Sequence, residues 1–263
     1  MKQIKNILAA VALLALPMAF TSCEDVLGHW EKPVPVTQLT DMSPDGTEAI
    51  DLGVIVDGKP LLFANMNIGA THEYDNGTFF AWGETEGFSV VGTTQTEAPG
   101  NTKTAFSSDW SDYKWGNVEL HPEQSIYTTT GITTLQPEDD AATANWGTAW
   151  RMPTKAEWEA LLAQTNREGV TNYNGTGADG LKFINKTDAS KFIFVPVAGF
   201  RRNSGWGSIV AGAGFYWTSS LHTTNHQAFH IHMNKNNPGG AGNDYSGRCA
   251  GILVRAVRNI SNN

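Results

Sequence analysis

The amino-acid sequence predicts an α+β fold in which a twisted, mostly antiparallel sheet carries two short helices and long loops. Three observations favour it: short apolar runs bounded by turn residues, one well-marked helix start, and an abundance of glycine and tryptophan. The 263 residues include 27 Gly and 9 Trp, and only 17% are charged. Aromatic side chains bury large areas, and glycine permits tight turns. The composition therefore indicates a loop-rich domain packed around aromatic rings.

The first strands are predicted to form a hairpin. Residues 49–55 and 60–65 are rich in apolar side chains, and Asp57-Gly58 between them supplies the residue types that a tight turn requires. A second turn at Asn76-Gly77 leads into the apolar run 78–82. This part of the chain is thus predicted to be a hairpin, a second turn and an apolar segment.

A long polar segment follows, from about Gly87 to Ser125, with glycine and threonine but no clear hydrophobic period. The missing period predicts a surface loop region rather than a helix or a strand. Three aromatic residues are expected to pin it to the domain: Trp110, Tyr113 and Trp115. Segments of this kind are often sites of insertions and binding surfaces.

Two short helices are predicted next. The first covers residues 137–144, with Pro137 at the first helical position and three acidic residues in the first turn, where acids complement the helix dipole. The second covers Thr154–Thr165. Thr154 and Glu157 form a capping box, and Trp158 begins an apolar face at helical spacing. We expect this second helix to pack on the sheet.

The rest of the sequence predicts five strands joined by loops. One strand alternates strictly, with apolar Phe229, Ile231 and Met233 and polar His230 and His232 between them. Such alternation predicts one buried face and one exposed face. The five strands are expected at residues 181–185, 192–198, 214–219, 227–233 and 252–257.

The N terminus resembles a bacterial lipoprotein signal. Lys2 and Lys5 precede the apolar stretch 7–19, and small residues precede Cys23 as at a cleavage site. A membrane-spanning helix needs roughly 20 apolar residues, whereas this run is shorter and contains Pro17. We therefore expect a signal peptide at residues 1–22 and a lipid on Cys23, which makes the outer-membrane lipid layer a partner of the protein.

The residues after Cys23 predict where the protein is held. Glu24 and Asp25 resemble the acidic export signal of Bacteroides-type lipoproteins, which places the protein on the outer face of the outer membrane; the periplasmic face is the alternative. Residues 23–46 contain Pro33, Pro35 and Pro44 and no helix pattern, so they are expected to form a flexible stalk. The folded domain is expected at residues 47–260.

Charge and cysteine content exclude several classes. The formal net charge of the chain is −8, whereas nucleic-acid binding calls for a basic face, so no nucleic-acid partner is expected. Of the two cysteines, Cys23 is assigned to the lipid, which leaves Cys249 without an intramolecular partner. No disulfide framework is therefore expected, although the compartment would permit one.

Several motifs follow one another along the chain: DLG at 51–53, NMNIGA at 65–70, FAWGET at 80–85, PEDDAA at 137–142, WGTAWRMPTKAE at 146–157, PVAGFR at 196–201, YWTSS at 216–220 and VRAVR at 254–258. In this order they resemble the FISUMP domain, the "Fibrobacter succinogenes major paralogous" family. The resemblance covers about residues 48–258, which is nearly the whole predicted domain.

The resemblance implies a C-type-lectin-like fold related to the formylglycine-generating enzyme group through an Arg-x-Pro-Thr-x-x-Glu-Trp segment. The expected role of this segment is structural: the proline stiffens the entry to the helix, the capping box starts it, the tryptophan fills the core and the arginine ties loops together. The enzyme group depends on a pair of active-site cysteines, and only Cys249 is available, so no enzymatic activity is expected. The segment consists here of Arg151, Pro153, Thr154, Glu157 and Trp158.

The polar segment 222–245 is the predicted recognition site. Asparagine, histidine and tyrosine offer hydrogen-bonding groups and flat rings suited to sugars or protein epitopes, and Pro238-Gly239-Gly240 forces an irregular loop between strands. A solvated loop is the alternative. His230 and His232 share a strand face, but no third ligand is evident, so neither a metal nor a cofactor is predicted. The candidate ligand-binding residues are His222, Asn225, His226, His230, His232, Asn234, Asn236, Asn237, Asn243, Asp244 and Tyr245.

The leading functional prediction is a surface-tethered, non-enzymatic binding module for a glycan or a protein ligand. A structural envelope or fimbria-associated lipoprotein is the alternative. Two further readings follow from the fold group: a variable receptor diversified by a retroelement, since Asn and His cluster near the C terminus, and an enzyme of the formylglycine-generating type. The oligomeric state is left open.

Overall fold

The computed structural model describes residues 43–203, 205–206 and 212–260, with the backbone alone for 205–206. The predicted signal peptide, Cys23 and stalk residues 23–42 lie outside the described residues. The described part is a mixed α+β structure of mostly antiparallel strands and short helices, which confirms the predicted class. Among the described helices, none combines the length and apolar character that crossing a membrane requires.

The first sheet joins the start of the domain to its end. It has the order β1 (Ala49–Val56), β2 (Lys59–Asn67) and β14 (Arg255–Asn259), with both pairs antiparallel. The turn between β1 and β2 places Asp57 and Gly58 at φ angles of 50° and 75°. Two successive left-handed residues are the signature of a type I′ turn, whose twist matches that of a hairpin. The predicted hairpin is confirmed.

The largest sheet has six strands. Their order is β12 (Gly242–Gly247), β11 (Gln227–Asn234), β10 (Ala213–Leu221), β13 (Ile252–Leu253), β3 (Thr78–Phe80) and β4 (Phe88–Ser89). β10 and β13 pair in parallel through Tyr216 and Leu253, and the other pairs are antiparallel. β12 was not expected, because its sequence GNDYSG contains turn residues and only one strong strand former.

Two smaller sheets complete the β-structure. One has the order β5 (Thr165–Val170), β6 (Gly180–Asn185) and β7 (Phe192–Pro196), and the other pairs β8 (Arg201–Arg202) with β9 (Gly205–Trp206). β5 was also not expected. Its sequence TNREGV lacks apolar alternation, and its pairing with β6 determines its conformation.

The described residues contain three α-helices: α1 (Ile126–Thr129), α2 (Ala141–Trp146) and α3 (Lys155–Gln164). The predicted helix over 137–144 is wrong as a single element. Pro137–Asp139 form a 3₁₀ turn, and Asp140 then caps α2 by accepting the N–H groups of Ala142 and Thr143. The Asp140 carboxylate can accept these two N–H groups only when its own backbone is not helical, so the helix cannot continue through this residue. The short helix α1 was not predicted.

Helix α3 begins with the predicted capping box. The Thr154 hydroxyl accepts the Glu157 N–H, and the Glu157 carboxylate accepts the Thr154 N–H. The guanidinium of Arg151 donates to both oxygens of Glu157 at 2.7 and 2.5 Å, and the carbonyl of Pro153 accepts the Ser219 N–H of β10. Trp158 is completely buried. These contacts join the segment to α3 and to β10.

The six-stranded sheet has an apolar core on each face. On β10, Tyr216 belongs to one cluster, which also contains Trp158 of α3, whereas Phe215 and Trp217 belong to the other. The last residue of α3, Gln164, also bonds the edge of β1, where its side-chain amide accepts the Ile55 N–H at 3.0 Å and donates to the Ile55 carbonyl at 2.9 Å. The helix therefore bridges two sheets.

Candidate functional site

The predicted recognition residues lie on β11, on β12 and on the loops beside them, and the structure brings only some of them together. The start of β11 pairs with the end of β12, so that Phe229 lies opposite Tyr245. The His222 ring packs beside both: its centroid lies 4.3 Å from that of Tyr245 and 4.8 Å from that of Phe229. Tyr245 remains 48% exposed. A preassembled group of three rings, tilted and edge-on to one another, thus lies at this edge of the sheet, with Tyr245 facing solvent.

Polar side chains border these rings. The Lys155 ammonium lies 5.3 Å from the Phe229 ring centroid and forms an ion pair of 2.5 Å with Glu159. The Asn243 amide donates to the same Glu159 carboxylate at 2.7 Å. We call this surface the aromatic–polar patch; it consists of His222, Phe229, Tyr245, Asn243, Lys155 and Glu159.

Arg248 anchors the loop that carries His222 through hydrogen bonds to the loop backbone. This side chain is completely buried. Its guanidinium donates to the Asn225 carbonyl at 3.0 Å, to the Ser125 hydroxyl at 2.8 Å and to the Tyr113 hydroxyl at 3.0 Å, and its backbone N–H bonds the His226 carbonyl. Asn225 and His226 therefore contribute to the predicted site at least through their backbone, as the anchored end of the loop.

His230 does not lie on the exposed face that strand alternation predicts. It is 1% exposed, its Nε2 lies 3.0 Å from the Ser246 hydroxyl, and its ring packs between Phe215 and Trp217. Burial lowers its pKa to about 4. His232 packs against Phe215 from the same side and is half-buried. The prediction of an exposed face is wrong because the second apolar core covers this side of β11.

Asn234 is the last residue of β11, and Asn236 and Asn237 follow it in the next turn. Asn234 accepts the N–H groups of Asn236 and Asn237 through its side-chain and backbone oxygens, at 2.9 and 3.0 Å, and so shapes the turn. From Phe229 to Asn234 the strand rises roughly 17 Å, at about 3.3 Å per residue. Asp244 is exposed and accepts the N–H of Tyr245 at 2.9 Å. The turn asparagines are thus separate from the patch.

Neither a metal centre nor a reactive thiol is assembled in the described part of the chain. No three His, Cys, Asp or Glu side chains converge there in a way that could hold a metal ion. Cys249 is buried, and burial raises the pKa of its thiol to about 11. The nucleophilic form of a cysteine is the thiolate, so Cys249 stays protonated at neutral pH.

Sequence reasoning missed the contribution of α3 to this surface. Lys155 and Glu159 are four residues apart and so share one face of a helix, a spacing that the sequence displays. Nothing in the sequence indicates that this face meets β12. No family model, no curated protein and no solved structure matches this chain. The arrangement itself offers a flat ring together with donors and acceptors, which is chemistry for recognition.

Proposed function

We propose that the protein is a surface-tethered lipoprotein whose domain binds a glycan or a protein ligand through the aromatic–polar patch and performs no catalysis. The observation that carries this proposal is the half-exposed Tyr245 ring, which packs at a tilt against His222 beside the Asn243–Glu159–Lys155 network. Tyrosine supplies rigid contact area at a low cost in conformational entropy, and the polar border supplies orientation.

The tethering is proposed from the sequence alone. The lipoprotein-like N terminus, Cys23 and the acidic residues after it support attachment to the outer membrane and exposure at the surface. Membership of the FISUMP family and a C-type-lectin-like fold are proposed on the motif order. One feature of the architecture supports both proposals: the first hairpin and the last strand pair in one sheet, and long irregular segments lie between them in the chain.

A binding screen tests the proposal. It uses the full-length lipidated protein in detergent and measures its binding to a glycan array and to a panel of host and bacterial surface proteins. Tyr245→Ser and His222→Ala are each expected to weaken binding by about tenfold or more, since a central aromatic contact contributes more than ~1 kcal/mol. Ile55→Ser is the matched control, because Ile55 is 53% exposed on a different sheet. Binding that survives both patch substitutions would remove the patch from the proposal.

A structural role in the envelope is the second candidate. Leu120 is 71% exposed and Ile126 is 42% exposed, only six positions further along the chain. Large exposed apolar side chains mark a contact surface when they form one patch, as the second candidate proposes for these two. Capture of one stoichiometric envelope partner that is lost in Leu120→Ser and retained in Tyr245→Ser would favour this role over ligand recognition.

A further inference from the structure

A lysine, an aspartate and a glutamate come together in the long loop region between β3 and α1. The Lys103 ammonium lies 2.7 Å from a carboxylate oxygen of Glu84 and 3.9 Å from Oδ2 of Asp112, and it donates to the Asp112 backbone carbonyl at 2.7 Å. Only about a tenth of the Lys103 and Glu84 side chains is exposed. The amine is therefore fixed beside two carboxyl groups with little access to solvent.

The two oxygens of the Asp112 carboxyl group have different surroundings. Oδ1 accepts the N–H of Ser107 at 2.8 Å. Oδ2 is buried and has no hydrogen-bond partner among the described residues. The Lys103 ammonium, 3.9 Å away, is too far for a hydrogen bond, and a buried carboxylate oxygen that accepts none is costly. A donor thus holds Oδ1, whereas no donor holds Oδ2.

Glu84 is positioned to accept a proton. Its second carboxylate oxygen accepts the backbone N–H of Lys114 at 2.8 Å, so the side chain cannot swing away from Lys103 without losing this bond. The Phe106 ring covers the ammonium from 5.3 Å. Lys103, Asp112 and Glu84 also line a cleft of ≈ 540 Å³, into which a released water molecule can pass.

We propose that Lys103 and Asp112 form an intramolecular isopeptide bond with Glu84 as the proton carrier. Glu84 takes a proton from the Lys103 ammonium and passes it to Oδ2 of Asp112, which makes the carboxyl group electrophilic; the lone pair of the neutral amine then forms the bond to Cγ while the π pair of the Cγ–Oδ1 bond moves onto Oδ1. The Ser107 N–H stabilises the negative charge on Oδ1 in the tetrahedral state. Glu84 carries a second proton from nitrogen to Oδ2, the Cγ–Oδ2 bond breaks, Oδ2 leaves as water with that electron pair, and a lone pair on Oδ1 re-forms the carbonyl of the amide.

The reaction needs no external reagent, because an ammonium and a carboxylate become an amide and one water molecule while Glu84 is regenerated. Fixed neighbours react with effective concentrations of about 10⁵–10⁸ M, which offsets the unfavourable condensation in water. The bond would close the loop from Lys103 to Asp112, which contains the buried rings of Phe106 and Trp110.

Peptide mapping of the purified full-length protein tests the proposal. Two cleavage positions for chymotrypsin, Phe106 and Trp110, lie between the linked residues. After denaturation and cleavage there, the fragments carrying Lys103 and Asp112 should remain joined, lighter together by the mass of one water. A cyclised aspartate also loses water, but it leaves the two fragments separate, so the connection between fragments is the decisive observation.

Three variants define the chemistry, and one serves as a control. Lys103→Arg keeps the positive charge without a reactive amine, Asp112→Ala removes the acyl group, and Glu84→Gln removes the proton carrier; each should release separate fragments. Lys114→Arg, at the same cleft but paired with Asp139, should keep the link. Separate fragments of full mass from the unsubstituted protein would overturn the proposal, whatever the folding of the variants.

Discussion

His230 lies in the interior, where its ring contacts Phe215 and Trp217 and burial lowers its pKa to about 4. In an unfolded chain a histidine takes up its proton near pH 6.5. Because the unfolded chain binds this proton first, the free energy of unfolding falls as the pH drops from about 6.5 to about 4. Outside that window the His230 contribution stays constant.

We expect this one histidine to remove ~3 kcal/mol from the free energy of unfolding across that window. His230→Gln has no ring to protonate and should flatten this part of the pH dependence. Urea unfolding at several pH values measures it, and His121→Gln, which alters an exposed histidine, is the control. An unchanged slope in His230→Gln would contradict the assignment.

Half of the patch is predicted from the sequence: His222, Asn243 and Tyr245 are candidate residues, whereas Phe229, Lys155 and Glu159 are not. Tyr245 and His222 are both predicted recognition residues, and their ring centroids lie 4.3 Å apart. His230 was predicted to share their exposed surface, but it is buried. Strand alternation tells which residues share a face, whereas only tertiary structure decides whether that face is covered.

Helix α3 is the element whose start the sequence predicts best. Thr154→Ala is expected to lower the free energy of unfolding by about 1 kcal/mol, because the Glu157 N–H loses its cap. Thr154→Ser keeps the hydroxyl and should retain most of that stability. Urea unfolding of the two variants gives the difference, and equal losses from Ala and Ser would show that the hydroxyl contributes nothing.

Among elements, two of the strands that the sequence does not predict share a physical reason. β5 and β12 each occupy one edge of their sheet and consist largely of polar residues and glycine. Edge strands are stabilised by pairing along one side only and need no continuous apolar face. The helix at Ala141–Trp146 was predicted but with the wrong start. The acidic residues that precede it are visible in the sequence, but Asp140 caps the helix and so separates it from the turn before it.

At the scale of the molecule, Arg255 connects two sheets. It is completely buried on β14 and donates to the carbonyl of Ala64 on β2 and to that of Phe194 on β7, both at 3.1 Å. No carboxylate within the described ranges lies at ion-pair distance from it. The α+β class and the hairpin were predictable from local patterns, but this connection joins segments far apart in sequence and was not.

Arg255→Met is expected to lower the free energy of unfolding by ~2–5 kcal/mol, since two buried carbonyls lose their donor. Arg255→Lys should not restore the stability, because a single ammonium lacks the planar fork that reaches both carbonyls. Thermal or urea unfolding measures the change. Arg167→Met on the edge strand β5 is the control, with an expected change within about 0.5 kcal/mol. A loss of unfolding free energy in Arg167→Met as large as in Arg255→Met would contradict the stabilising role of Arg255.

The side-chain amide of Gln164, bound to the edge of β1, affects whether copies of the protein can pair through that edge. An open strand edge is a template for another chain, and pairing there begins aggregation. By occupying both the N–H and the carbonyl of Ile55, this one side chain imitates a neighbouring strand and closes the position to a real one. Where many copies of the protein are held close together, such an edge lets them lie side by side without joining into fibres.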